Sequence, residues 1–171
     1  MILISDLLTL RTFFQQATSS VGDISFFGIS NGDEGIQEIQ SLMETTINPG
    51  QVICLMQVAE IPLSEGAYAK ATFACTIMLL KKMNAGKITF DVKLETRNEL
   101  WKQMLKLIGK VKLAAEWFQK SYEEKPNEAY DVHFSIFQDR VLPVGKIANA
   151  NVQGWLVDID VSIPVNDLMY N

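Results

Sequence analysis

The residues of this chain whose types and spacing could do chemistry fall into four small groups. His133 and Asp131 stand two apart in an alternating stretch, DVHFSIF, so both project from one face of a strand. A carboxylate beside an imidazole is how a general base is oriented. Asp158 and Asp160 share a strand face in the same way, about 7 Å apart along it, within reach of paired-carboxylate or metal chemistry. Asn31-Gly32-Asp33-Glu34-Gly35 has the outline of a phosphate or calcium loop, and Cys54 and Cys75 are the residue types of a disulfide or a metal pair.

None of the four completes a signature. No Ser or Cys nucleophile sits in a strand-turn context near His133, and no G-x-S-x-G occurs. Asn31 to Gly35 lacks the Lys and Ser/Thr of a P-loop and the spaced ligands and closing Glu of an EF-hand. Its acids would repel phosphate, and it reads as a turn and helix cap. Cys54 and Cys75 lie inside apolar runs, VICLM and FACTIML, and read as buried thiols. Zinc would need more ligands than two cysteines and the single histidine supply. Alternating acids such as Asp158 and Asp160 are most often the wet or contact face of a strand. The expectation is a protein that is not an enzyme, with no catalytic residue, metal set or cofactor.

Charge layout is more informative. Residues 1–66 carry one base, Arg11, against eight acids, for −7; residues 67–125 carry +6 and residues 126–171 carry −4, within a net charge of −5. Lys102, Lys106 and Lys110 follow at i, i+4 and i+8, so they project from one side of a helix. Each like-charge pair opposes that helix by roughly 0.2–0.5 kcal/mol, and Glu99 can offset only the first. A basic ridge of this kind suits an acidic partner, either a neighbouring subunit or nucleic acid. Nucleic-acid readers usually add arginine and exposed aromatics, whereas only Arg97 lies near this ridge and the chain is acidic, so a protein partner is favoured. Asp158, Asp160 and the acidic helix bearing Asp33, Glu34 and Glu38 are the expected counterparts.

The elements that must position these groups follow from periodicity. A helix is predicted over 5–19, capped by Ser5 or Asp6, then a buried strand over 24–30 and a short helix with Ile36, Ile39 and Met43 on one face. Asn48-Pro49-Gly50 ends that helix. Strands over 51–61 and 67–80, joined by a short link from Pro62 to Gly66, predict an antiparallel hairpin. The longest helical pattern, about 92–124, carries Trp101, Met104/Leu105, Ile108, Val111, Ala115, Phe118 and Tyr122 as its apolar stripe, with Pro126 as the stop. A strand over 131–137, a loop with Pro143 and Gly145, and a strand over 154–163 complete the pattern. In the last strand the odd positions from Trp155 to Ile163 are all apolar, the period of a sheet covered on one side. The predicted fold is one α+β domain over 1–171: a single antiparallel β-sheet with the long amphipathic helix packed on one face and an N-terminal helix. No signal peptide or membrane-spanning run is legible.

This order of elements resembles the small neck and tail-completion proteins of tailed bacteriophages, including the tail-terminator type. The resemblance rests on ATFACTIMLLKK (71–82), a hairpin strand ending in Lys81-Lys82, and on GWLVDIDVSIPV (154–165), a final G-W-hydrophobic-D strand, with the long helix between them. It covers most of the chain by element order; the segment 31–50 is a departure, often absent or a plain loop in such proteins. The resemblance implies a virion protein assembled in the host cytoplasm, a homo-oligomeric ring of head-tail connector or tail-terminator type. It also implies other neck or tail proteins as partners, DNA passing through without sequence-specific contact, and no membrane. The alternatives are a soluble module holding nucleic acid on the Lys102/Lys106/Lys110 ridge, and a small enzyme using His133 with Asp131.

Overall fold

A computed structural model of the chain describes residues 4–29, 32–64, 69–84, 86, 88–124, 131–145 and 151–164. It shows the expected α+β architecture. Helix α1 (Leu7–Ser19) begins where Asp6 accepts from the Thr9 amide at 2.8 Å and the Asp6 amide donates back to the Thr9 hydroxyl at 3.0 Å. This reciprocal cap satisfies two amides the helix would leave unpaired. The Thr9 amide first among its hydrogen bonds holds the Asp6 carboxyl below the usual aspartate range. After α1 come β1 (Ser25–Ile29), α2 (Gly32–Ser41) with a widened π-helical turn (Leu42–Thr46), β2 (Val52–Glu60) and β3 (Lys70–Lys82). Helix α3 (Phe90–Glu124), β4 (His133–Val144) and β5 (Val152–Pro164) follow.

The five strands form one sheet in the order β1-β2-β3-β5-β4. Three of its four ladders are antiparallel, including the expected β2–β3 hairpin; the fourth, β1 with β2, is parallel. The parallel pair follows from the segment 31–50. A helix inserted between two neighbouring strands carries the chain back along the sheet, so the second strand runs the same way as the first. The structure therefore amends the purely antiparallel expectation at one edge.

Helices cover both faces of the sheet. On one face, Leu10, Phe13 and Phe14 of α1 and Met104, Leu107, Val111 and Phe118 of α3 pack on Cys54, Phe73, Cys75, Ile77 and the odd positions Val157 to Ile163 of β5. On the other, Ile39, Met43 and Ile47 from α2 and its π turn pack on Ile53, Leu55, Met78 and Leu80. That second cluster extends to Val152 of β5, with Val144 and Leu156 packed against it, and does not include Asp158 or Asp160. Lys82 ties it down by donating to the carbonyls of Met43 and Ile47, the latter at 2.9 Å, which fills acceptors the last turn leaves open. Gly50 then turns the chain at φ +90°, a conformation that costs other residues energy.

Three local expectations shift. The loop expected around Pro143 is strand: β4 runs through Pro143 to Val144, which is permitted because β4 is an edge strand and a missing amide there breaks no inner ladder. The α3 stripe is Leu100, Met104, Leu107, Ile108, Val111, Ala114 and Phe118; Leu105 and Tyr122 are exposed. The predicted stop at Pro126 lies outside the described residues.

Candidate functional site

Lys102, Lys106 and Lys110 are exposed on the side of α3 that faces away from the sheet, and none is in an ion pair among the described residues. Glu99 does not offset them. It pairs with Lys81 of β3 at 3.5 Å, so the ridge keeps its full charge. Between Lys106, Lys110 and Lys112 and the end of α1 lies a shallow apolar recess that includes Val21 and Leu113. Trp117, one helical turn beyond Leu113, is 46% exposed.

Asp158 and Asp160 lie on the opposite face of the sheet, on the half that α2 leaves uncovered. The register sets Asp158 between Thr76 and Phe137, and Asp160 between Ala74 and Ser135. The Thr76 hydroxyl donates to Asp158 at 2.7 Å, and Thr72 and Ser162 share a hydrogen bond at 2.8 Å along the same row. Partial burial, and then the neighbouring Asp158, push the Asp160 carboxyl above the usual range, with Arg140 pulling the other way. Arg140 sits in the irregular stretch of β4 between Phe137 and Leu142, its guanidinium 4.9 Å above the Phe137 ring. No group of three or more metal-ligating side chains occurs among the described residues.

Helix α2 belongs to the same side as the two aspartates. Glu38 is exposed on it. Asp33 and Glu34 fall in its first turn, and their side chains lie outside the described residues. The residues expected to act as opposed partners thus divide: the lysines lie on the α3 layer and Asp158 and Asp160 on the other face, while Glu38 lines a groove with Leu7, Leu8 and Arg11 where β1 and β2 end.

His133 and Asp131 do meet, with Nε2 at 2.5 Å from Oδ1. The other carboxylate oxygen is held by Lys70 at 2.6 Å. Burial pushes the Asp131 carboxyl up, but the Lys70 hydrogen bond and the charges of His133 and Lys70 outweigh it and hold the carboxyl below its usual value. Since Lys70 opens β3 and Asp131 precedes β4, the cluster spans β5 near Pro164 and joins two strands that do not pair. Cys54 and Cys75 are buried free thiols, each pushed up to about 12 by desolvation.

Lys70, Thr76, Arg140 and Trp117 were not singled out by the sequence. Thr76 had a faint signal, a hydroxyl at an even position of a strand that could face acids. Arg140 had none, because a strand irregularity places it. No family model matches the chain, and no curated protein matches its sequence.

Proposed function

We propose that this chain is a structural subunit that assembles head-to-tail into an oligomeric ring of the bacteriophage neck or tail, of connector or tail-terminator type around the DNA passage, with no catalytic role. One observation carries the reading. The lysine ridge, without an ion pair among the described residues, and the aspartate face are on opposite outer sides of one molecule. A symmetric pairing would set lysine against lysine or aspartate against aspartate; a heterologous pairing sets each against its complement, and such contacts close into rings when the rotation allows. The resemblance in element order supplies the virion setting.

The test is sedimentation and negative-stain electron microscopy of the purified protein across salt concentrations. Closed rings at low salt that dissociate as salt rises support the proposal. A monomer at high concentration and low salt, with no rings, defeats it.

One observation favours a second reading, in which the ridge holds single-stranded nucleic acid. The exposed Trp117 beside the lysines offers a stacking surface for a base. That reading requires binding of oligonucleotides at low ionic strength with an affinity that falls steeply with salt, and it fails if none binds.

A further inference from the structure

Helix α3 carries a second row of apolar positions on the side away from the sheet. Leu105 (47% exposed), Gly109, Leu113 (61% exposed) and Trp117 follow at i, i+4, i+8 and i+12, apart from the buried Leu100, Met104, Leu107, Val111 and Phe118. A row of this spacing is the ridge that one helix offers another. Gly109 interrupts it. Glycine weakens a helix interior, and nothing in the fold calls for this one, since a Cβ there would meet no atom within 4 Å. What it leaves is a notch. With Val21 and Leu113 it floors the shallow recess beside the end of α1, about 450 Å³ in volume.

The charge around the row has one dominant sign. Lys102, Lys106 and Lys110 run along one side of it and Lys112 lies on the other, all exposed and none in an ion pair among the described residues. Among the described residues no acid lines the recess. The acids next in sequence are Glu116, one turn beyond Lys112, and Asp23, two residues past Val21, so the lysines stay in excess.

We propose that this face of α3 is the docking site of an acidic amphipathic helix from another protein. The partner lays its own apolar ridge across the notch, where the missing side chain at Gly109 lets the two backbones come close. Its flanking carboxylates meet Lys106, Lys110 and Lys112, and Leu105, Leu113 and Trp117 leave water in the contact. The α3 face of a second copy is not the occupant, because it would set lysine against lysine. A bilayer would need a broader apolar face than one row. A nucleic-acid strand would use the lysines and Trp117 but leave Leu105 and Leu113 unmatched. The site shares its lysines with the head-to-tail contact proposed above and does not rest on it: a chain that forms no rings can still bind the helix.

The test is fluorescence anisotropy of a labelled synthetic peptide titrated with the full-length protein at low salt. The peptide has about 20 residues, long enough to form a helix, with leucine on one face and glutamate on both flanks. Saturable binding is expected, and it is expected to be lost when lysine replaces the peptide's glutamates. Gly109→Met fills the notch with a better helix former, so it is expected to keep or raise the thermal unfolding midpoint while weakening binding at least tenfold. Leu113→Gln, a change at an exposed position, is expected to weaken binding to a similar degree, as is Lys110→Glu. Leu142→Gln, at an exposed position of β4, is expected to leave it unchanged. No binding of the glutamate peptide, or equal binding by the parent, Gly109→Met and Leu113→Gln, overturns the proposal. Binding of phosphatidylglycerol vesicles or of a single-stranded oligonucleotide in place of the peptide would also overturn it, assigning the face to a membrane or to nucleic acid.

Discussion

The indole Nε1 of Trp155 donates to the main-chain carbonyl of Arg97 at 2.9 Å, fastening β5 to the middle of the early α3 helix. The Trp155 ring also packs on Trp101, with centroids 4.8 Å apart. One side chain therefore fixes where the long helix crosses the sheet, and with it where the lysine ridge points. Trp155→Phe keeps most of the ring contact and removes the hydrogen bond. It is expected to lower stability by about 1 kcal/mol, read as a lower urea midpoint at unchanged slope.

Gly154, next in line, pairs with Leu80 across the β3–β5 ladder. A Cβ there would stand 2.1 Å from the Leu79 carbonyl oxygen and 2.7 Å from Leu80 Cδ2. Backbone on that side cannot withdraw without breaking the central ladder. Gly154→Ala is expected to cost about 1–3 kcal/mol by overpacking, measured by thermal or urea unfolding.

Asp131 gives a pH signature. Its folded-state pKa is lowered, so its contribution to stability is complete above the ordinary aspartate value of about 4 and is lost as pH falls through the lower folded value. Asp131→Asn is therefore expected to be less stable than the parent near neutrality, by less than about 1 kcal/mol since the pair is partly exposed. The difference should vanish in acid. Urea midpoints from pH 7 down to 2 decide it, and a gap that persists or widens at the acid end would show that the carboxylate charge is not what matters.

The ridge is testable by a single reversal. Lys106→Glu replaces the central lysine and pairs favourably with Lys102 and Lys110 along the helix, so the fold is expected to hold or gain slightly. Ring formation at low salt is expected to weaken at least tenfold, by sedimentation. Unchanged assembly would remove the ridge from the contact.

The fold was legible where burial imposes a strict period. The apolar odd positions from Trp155 to Ile163 announced β5 and its covered face, and Asp6 announced the start of α1. The i, i+2 spacing of Asp131 and His133 put them on one strand face, and they do meet. Lys70 was not legible as their partner, because sixty residues of intervening chain carry no trace of a pairing made across a third strand. The parallel β1 escaped for a related reason: a run such as ISFFGIS fixes a buried strand but not its direction. Edge position explains Pro143, which reads as a break in any strand taken alone. The ridge lysines were visible by spacing, whereas their freedom from Glu99 depended on Lys81, a residue of another element.

The strand order also governs when the sheet can close. β3 occupies the middle, and its second partner, β5, is separated from it by α3 and β4, so the Thr72–Ser162 bond joins residues 90 apart in sequence. Such distant pairing makes for slow folding. As the chain leaves the ribosome, β1, β2 and β3 can assemble early, while one edge of the apolar β3 strand stays unpaired until residues 152–164 emerge. That interval is when the nascent protein is most open to strand-to-strand aggregation, and expression at lower temperature, or with chaperone present, is the condition under which its yield should improve.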